Sequence, residues 1–275
     1  MTEPIHGRSE GSAQRNALES LTEEQQKALR EWSSHPWFYA TGRWEGKPIW
    51  VTQDENDDFE PYKAFPKSYG FLKLYLHALW LLARSKKGGG ISEELAVLWE
   101  QLMGYRPTKR DPLIIITDKA RQMLMTIATL CFADWLCSFR YQRFVILSKS
   151  TLPESEKMLE DKVRVPRSFD PTINPVGGMP EWFDNLCPIS FAPKDFVRYG
   201  LTGSRIWGVD QNFYDGEGRG ITSSFAIVDE AAFQKKLAKI FQAIRPQQGR
   251  MVVMSTAELG NPGADFMYSL LERAG

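Results

Sequence analysis

The sequence predicts an α/β fold in which helices flank a mostly parallel central sheet, preceded by a helical N-terminal extension. After Pro112, short apolar segments typical of strands alternate with longer segments of helical periodicity, which is the rhythm of a parallel sheet. Upstream, apolar residues recur at helical spacing along 69–83 and 91–103. With 275 residues, 43% of them hydrophobic, the chain can bury one large core or two unequal ones.

We expect three regions along the chain. Residues 1–20 are predicted to be a disordered leader, because they hold few large apolar groups to offset the entropy of ordering. Residues 21–110 form a helical subdomain whose first helix follows Thr22, which completes a capping box with Gln25. Residues 111–275 form the α/β core.

Within these regions the pattern predicts individual elements. Residues 164–203 are rich in proline and aromatic side chains and are expected to be irregular. A short extended segment is expected within 37–53, which mixes aromatic residues with glycine and proline. The predicted core strands are 113–117, 144–148, 205–209, 225–228 and 251–254, and the predicted core helices are 126–137, 153–163, 231–244 and 265–274.

Charge and composition exclude several classes of protein. A formal net charge of zero argues against a protein that coats nucleic acid with its whole surface. One basic stripe remains within 234–250, where no acidic residue interrupts the cations, and it is either a DNA-contacting surface or a solvated helix face. Its members are Lys235, Lys236, Lys239, Arg245 and Arg250.

The cysteine and histidine residues do not form a recognisable framework. Three cysteines, each inside an apolar stretch, predict buried thiols instead of disulfides. The three histidines are scattered, so a structural zinc site is not expected. No run of eighteen apolar residues and no signal-peptide pattern is present, which predicts a soluble, intracellular protein.

The most informative segment is an apolar strand, 224–228, that ends in Asp229 and Glu230. Two acids at a buried strand tip are explained by magnesium, which Asp229 can orient beside nucleotide phosphates, while Glu230 polarises the attacking water as a general base. The alternative is a helix N-terminus at which acids complement the helix dipole, an effect of roughly 0.3–1 kcal/mol.

A second candidate segment has the order strand, loop and helix. It runs from Leu113 to Thr126 and places Lys119 directly after the strand. The usual phosphate-loop pattern Gly-x-x-x-x-Gly-Lys-Ser/Thr is absent, because the loop has no glycine and Met125 stands where lysine precedes the hydroxyl residue. Taken alone, this loop is a weak signal.

Together, the two segments resemble the N-terminal ATPase domain of phage terminase large subunits, which are P-loop NTPases of the ASCE type. Lys119-Ala-Arg-Gln matches the start of their Lys-Ala-Arg-Gln-x-Gly-x-Ser/Thr pattern, and 229–233 matches their Asp-Glu-Ala-Ala-Phe. The resemblance runs from about Trp37 to Phe266 and implies ATP and Mg²⁺ as cofactors.

The resemblance implies a role for each position of the loop. Lys119 supplies the phosphate-facing charge, with Arg121 as second candidate, and the hydroxyl of Thr126 binds magnesium. Leu124 stands where the family usually has glycine, and a side chain there resists the torsions and close phosphate approach that glycine permits. The implied nucleotide contacts are Lys119, Ala120, Arg121, Gln122, Met123, Leu124, Met125 and Thr126.

Further matches extend the resemblance. Arg219 corresponds to an arginine that reaches the nucleotide of a neighbouring subunit, although an exposed turn also explains it. Lys149 lies in a segment that faces DNA in the family and is a candidate to contact the DNA backbone phosphates. Phe65 and Tyr69 are candidates to pack around adenine, against an ordinary core role for either. The residues implied in coupling ATP hydrolysis to DNA movement, for which a plain strand end is the alternative, are Ser255, Thr256 and Ala257.

The resemblance implies a motor that forms a ring of its own copies around double-stranded DNA and moves that DNA into a procapsid in the host cell cytoplasm. Its implied partners are DNA, a portal protein and a small terminase subunit. The nuclease domain that follows in the family is not expected in this chain. The alternatives are a non-catalytic module that docks to DNA or portal, and a helicase-like ATPase.

Overall fold

A computed structural model describes most of the chain. The described residues are 18–53, 62–68, 70–84, 93, 96–97, 100–101, 106, 113–119, 124–215, 222–248, 250–256 and 260–274. Most of the predicted leader and part of the helix predicted at 91–103 lie outside these ranges. No helix within them is long and apolar enough to cross a membrane.

In the described part of the N-terminal region, three helices and four short strands have defined bounds. The helices are α1 (Glu23–Ser34), α2 (Pro36–Ala40) and α3 (Gly70–Arg84), and the strands are β1 (Arg43–Trp44), β2 (Lys47–Pro48), β3 (Val51–Gln53) and β4 (Tyr62–Ala64). The capping box predicted at α1 is confirmed. The Gln25 backbone N–H donates to Thr22 Oγ1 at 3.2 Å, and the Thr22 N–H donates to Gln25 Oε1 at 2.9 Å.

The second part of the chain supplies the large sheet and its helices. Its strands are β5 (Leu113–Asp118), β6 (Phe144–Lys149), β7 (Ile189–Ser190), β8 (Phe196–Tyr199), β9 (Ser204–Asp210), β10 (Phe225–Asp229) and β11 (Arg250–Ser255). Its helices are α4 (Met125–Phe139), α5 (Leu152–Leu159), a π turn (Glu160–Arg164), α6 (Val165–Arg167), α7 (Glu181–Leu186), α8 (Leu237–Gln248) and α9 (Pro262–Ala274).

The seven-stranded sheet is mostly parallel, as predicted. Its strand order is β5-β11-β10-β6-β9-β8-β7, in which the first five strands are parallel, β8 pairs antiparallel with β9, and β7 pairs antiparallel with β8. Strand β11 lies between β5 and β10. Because parallel strands point the same way, the residues that follow β5, β6, β10 and β11 meet at one edge of the sheet.

Both faces of the sheet are covered. Alternate residues of β10 enter two different apolar clusters: Phe225 and Ile227 pack with α4, whereas Ala226 and Val228 pack with α8 and α9. The N-terminal region joins the first cluster, since Trp32 and Leu79 belong to it. Helix α4 is apolar on nearly every side, as a helix buried between the sheet and the N-terminal region must be.

Two predictions about the core elements are wrong. The helix predicted to start at Ala231 begins at Leu237, because Ala231–Phe233 is a single 3₁₀ turn and Gln234 has an extended backbone. The segment 164–203 is not irregular throughout, since it contains α6, α7, β7 and β8. Strands β7 and β8 are short and lie at one side of the sheet, so they lack the long apolar run of a central strand.

A charged network lies within the apolar core and joins four elements. Asp134 of α4 and Arg167 of α6 are both fully buried, with 3.1 Å between Asp134 Oδ1 and Arg167 Nη1. Tyr199 donates its hydroxyl to Asp134 Oδ1 at 2.7 Å, and Tyr39 of α2 donates to Oδ2. Arg167 also donates to the Ser138 hydroxyl at 2.8 Å. The network ties the N-terminal region to the sheet.

A histidine pair links α2 to α3. His35 Nε2 lies 3.0 Å from His77 Nδ1, and His35 Nδ1 accepts the Trp37 backbone N–H at 3.0 Å. Because Nδ1 is an acceptor, His35 is neutral, with its proton assigned to Nε2. Burial, with the nearby charges of His77 and Lys73, lowers the pKa of His35 to about 4, and burial with Lys73 also lowers the pKa of His77.

Acidification should therefore destabilise the protein before its carboxylates titrate. The unfolded chain binds protons at His35 near pH 6.5, whereas the folded chain does not until about pH 4. The stabilisation is complete above pH 6.5 and is lost as the pH falls towards 4. We expect a loss of about 1 kcal/mol between pH 7.5 and 5, allowing for solvent screening of these half-exposed rings. Urea unfolding at both pH values measures this loss of unfolding free energy, which should be smaller in His35→Gln than in the wild type. An equal loss in the two proteins would contradict the assignment to His35.

Candidate active site at the carboxyl ends of the strands

Five polar side chains converge where the parallel strands end. Lys119 follows β5, Lys149 ends β6, Asp229 ends β10 with Glu230 directly after it, and Thr126 lies in the first turn of α4. Segments more than 100 residues apart in the sequence are thereby brought into hydrogen-bonding contact. The edge is the one at which open α/β sheets bind ligands.

Asp229 is the centre of the cluster. Its side chain is 2% exposed, and its Oδ1 accepts from Lys119 Nζ at 3.0 Å and from Thr126 Oγ1 at 3.1 Å. Its Oδ2 accepts from Lys149 Nζ at 3.2 Å. Burial alone would raise the pKa of Asp229, but the charges and hydrogen bonds of Lys119 and Lys149 lower it below the ordinary value. Asp229 is therefore an ionised carboxylate despite its burial.

Lys149 bridges the two acids. Its side chain is 5% exposed, and Nζ lies 2.7 Å from Glu230 Oε2 in addition to its contact with Asp229. Burial alone would lower the pKa of Lys149, but the two carboxylates raise it above the ordinary value, so the ammonium is charged. The resemblance implied that Lys149 faces DNA. The structure instead buries it inside the carboxylate cluster, where it holds the two acids together.

Glu230 differs from Asp229 in exposure and in backbone conformation. Its side chain is 46% exposed, and its backbone is left-handed, with φ 51° and ψ 44°. This conformation costs a non-glycine residue about 1–2 kcal/mol, so the surrounding structure must hold it. Because α8 begins only at Leu237, the two acids do not cap an α-helix. The alternative of acids at a helix N-terminus therefore does not fit the structure.

The loop before α4 is described only at its two ends. Lys119 Nζ lies 2.5 Å from Thr126 Oγ1, so these ends meet. Leu124 is the residue before α4 and has a left-handed backbone, with φ 56° and ψ 12°, and Met125 is buried. The sequence predicted that a side chain at 124 would oppose such torsions, and the chain adopts them nonetheless. Ala120, Arg121, Gln122 and Met123 lie outside the described residues.

Ser255, at the end of β11, connects the two segments of the site. Its carbonyl accepts the Lys119 backbone N–H at 2.8 Å, and its hydroxyl accepts the Ala232 N–H at 3.2 Å. A shift at the end of β5 is thus linked through β11 to the turn after Asp229. Thr256 is half-buried beside it, and Ala257 lies outside the described residues.

Sequence reasoning missed Gln234. This side chain is fully buried, and its amide donates to the Ser148 carbonyl at 3.0 Å and to the Asp229 carbonyl at 2.8 Å. Its Oε1 accepts from the Ser148 hydroxyl at 3.0 Å. Gln234 therefore ties the tips of β6 and β10 together and fixes the extended backbone that delays α8. Because Lys235 and Lys236 follow Gln234 in the sequence, no local pattern distinguished it from the basic stripe.

The remaining candidates lie away from this cluster or outside the described residues. Phe65 is 2% exposed and packs edge to face on Trp37 with 6.2 Å between ring centroids, so its position is that of a core residue. Tyr69 and Arg219 lie outside the described residues. In the basic stripe Lys236 and Lys239 pair with one carboxylate, Asp215, whereas Lys235 is exposed.

The cluster has the chemistry of a nucleotide-phosphate site. Two lysines balance two carboxylates, so an arriving phosphate can draw an ammonium away from Asp229. Asp229 with Thr126 offers a carboxylate and a hydroxyl oxygen, donors suited to Mg²⁺. The described residues hold no group of three His, Cys, Asp or Glu able to bind a metal by themselves. This donor set therefore fits a Mg²⁺ whose remaining ligands are phosphate oxygens and water.

Known proteins similar to this chain are found among solved structures. No protein-family model matches the chain, and no curated protein matches it. Among solved structures, the chain is similar to the large terminase ATPase domain of Thermus phage P74-26 and to an arginine-to-alanine mutant of that domain. Each is 16% identical with a TM-score of 0.40; the alignments cover 67% and 66% of this chain and 74% of each of those chains. At these values the likeness does not decide function.

Proposed function

We propose that this chain is an ATPase whose active site is the cluster at the carboxyl ends of β5, β6 and β10. The observation that carries the proposal is the convergence of Lys119, Thr126 and Asp229, each within 3.1 Å of the other two. A cation, a hydroxyl and a buried carboxylate at such a strand edge form the combination that phosphoryl transfer uses. The half-exposed carboxylate of Glu230 adjoins them.

Each side chain has a defined role in this proposal. Lys119 leaves Asp229 and neutralises the β- and γ-phosphates of ATP. Asp229 and Thr126 hold Mg²⁺, which when bound supplies charge stabilisation to the phosphates. Glu230 accepts the proton of the attacking water, since its carboxylate is the accessible one of the two. Lys149 is a positioning residue that keeps Glu230 beside Asp229 through its 2.7 Å and 3.2 Å contacts.

The motor role rests on the sequence resemblance. In this proposal a ring of copies moves double-stranded DNA into a procapsid, with a portal protein and a small terminase subunit as partners and Arg219 acting on the neighbouring subunit. The hydrogen bonds from the Lys119 N–H to the Ser255 carbonyl and from the Ala232 N–H to the Ser255 hydroxyl give a physical route by which phosphate loss reaches β11. In this proposal Ser255, Thr256 and Ala257 form the segment at the end of β11 that couples phosphate loss to DNA movement.

Loss of the Lys119 charge tests the phosphate site. We expect Lys119→Ala to lower kcat/KM for ATP by about 10- to 100-fold, the scale of one charge-assisted hydrogen bond. Phosphate release with Mg²⁺, with and without double-stranded DNA, measures it. Lys157→Ala is the matched control, because Lys157 of α5 is exposed and outside the cluster. Equal activities for the two variants would contradict the assignment of Lys119.

The left-handed backbone of Leu124 favours one second candidate, a module of the same fold that docks to DNA or portal without turnover. A left-handed non-glycine residue costs about 1–2 kcal/mol, and a side chain at this position opposes the close phosphate approach that glycine permits.

Glycine at position 124 should separate the two candidates. We expect Leu124→Gly to bind ATP several-fold more tightly by calorimetry, because glycine adopts the left-handed torsions and lets the backbone approach phosphate without a steric cost. Leu124→Ala is the control, since it shortens the side chain but keeps the strained Cβ. If neither wild type nor Leu124→Gly binds or hydrolyses ATP, the docking module is the better description.

A further inference from the structure

A second charged pocket lies at the opposite edge of the sheet. It has a volume of about 400 Å³, and its charged and aromatic lining is Trp80, Arg84, Trp135, Arg140, Arg143 and Arg250. Arg143 immediately precedes β6 and Arg250 begins β11, so the pocket lies at the amino ends of the parallel strands. The candidate active site is at their carboxyl ends, roughly 15–20 Å away along a six-residue strand.

The pocket concentrates positive charge. Arg84, Arg140 and Arg143 make no ion pair with a carboxylate in the part of the chain that the structure describes. Arg140 instead donates to two backbone carbonyls, those of Phe139 at 3.2 Å and Ser33 at 3.3 Å. Burial and then the neighbouring charges of Arg84 and Arg143 lower the pKa of Arg140, and burial with Arg143 lowers that of Arg250. The guanidinium groups therefore repel one another.

Two further features indicate an anionic ligand. Arg143 Nε is buried and has no hydrogen-bond partner among the described residues, and a buried donor without an acceptor costs about 1–3 kcal/mol. Two guanidinium groups lie over tryptophan rings, Arg84 at 4.3 Å from the centroid of Trp80 and Arg140 at 5.0 Å from that of Trp135. Stacking holds these cations in place without neutralising them.

We propose that this pocket binds a phosphate-bearing polyanion. A guanidinium group can donate two parallel hydrogen bonds to two oxygens of one phosphate. Several guanidinium groups in one pocket therefore favour a ligand that carries more than one negative group. The volume suits a ligand the size of a nucleotide or short polyphosphate. The same phosphate chemistry is present in a free polyphosphate and in a nucleic-acid strand. The site is separate from the proposed ATPase site and does not depend on it.

The test uses calorimetric titration of sodium tripolyphosphate into the Lys119→Ala chain, which removes the phosphate-facing charge of the other site. We expect binding that weakens by about 10-fold or more in Arg143→Gln and in Arg84→Gln, the loss for one charge-assisted contact. Arg84 is exposed, so its replacement leaves the fold intact. If Arg143→Gln is unstable, the tripolyphosphate affinity of Arg84→Gln tests the proposal by itself. Lys157→Gln, which replaces an exposed cation of α5, should bind as the parent does.

A second titration distinguishes the two sources of phosphate. If a twelve-nucleotide DNA strand displaces tripolyphosphate and loses affinity in the same arginine variants, the ligand is nucleic acid. If the oligonucleotide does not compete, the ligand is a free polyphosphate. The proposal is overturned if neither ligand binds the Lys119→Ala chain, or if Arg84→Gln and Arg143→Gln bind both ligands as tightly as their parent. Loss of ATP hydrolysis in Lys119→Ala bears only on the proposed function.

Discussion

Glutamine in place of Glu230 is expected to lower kcat for ATP hydrolysis by about 100- to 10,000-fold, the contribution of a general base. The amide has nearly the same size, and its oxygen can still accept from Lys149 Nζ, which lies 2.7 Å from Oε2 in the native site. It cannot, however, take a proton from water. ATP affinity should therefore persist, since Lys119, Thr126 and Asp229 are unchanged. Steady-state phosphate release and equilibrium ATP binding measure the two quantities separately.

The matched control for this variant is Glu160→Gln. Glu160 is also a 46% exposed glutamate paired with one cation, Arg164, but it lies in the π turn outside the cluster. Its replacement should leave kcat unchanged. Full activity in Glu230→Gln would mean that another group accepts the proton. Loss of ATP binding together with kcat would instead assign Glu230 a role in holding the site together.

The sequence predicted the central strands and the buried helix well because their signals are local. Continuous apolar runs such as 225–228 and 251–254 must be buried on both faces, and α4 carries apolar residues throughout. Strands β7 and β8 carry no such run, and they form by pairing with β9 and with each other. The late start of α8 also had no local signal, since it depends on hydrogen bonds from Gln234 to distant carbonyls.

The residues of the candidate site also divide into those with a signal in the sequence and those whose position depends on the whole sheet. Asp229 and Glu230 could be chosen from the sequence, since they end an apolar strand, whereas Lys119 and Thr126 were chosen through the resemblance of the loop. The burial of Lys149 could not be predicted, because it depends on β6 lying beside β10, and strand order is a property of the whole sheet. Once that order is known, the contact of Lys149 with both acids follows from the alignment of the strand ends.

The network of Asp134 and Arg167 is another feature that no local pattern reveals. Burial alone would lower the pKa of Arg167, but Asp134 and the neighbouring hydroxyl and thiol groups hold it well above the ordinary value. Arg167 also donates to the Cys187 carbonyl at 2.7 Å. Because both charges are fully buried, each depends on the other, and removal of Asp134 leaves Arg167 with only the more distant, partly exposed carboxylate of Asp184, 4.0 Å from Nε.

Asp134→Ala is therefore expected to lower the free energy of unfolding by about 3–5 kcal/mol, the cost of leaving one buried charge unpaired. Urea unfolding followed by tryptophan fluorescence measures it. The control is Glu160→Ala, which breaks the exposed pair with Arg164 and should cost less than about 0.5 kcal/mol. The double variant Asp134→Leu with Arg167→Met should lose less than Asp134→Ala, because it removes both charges. If the double variant loses as much, packing and not the unpaired charge accounts for the loss.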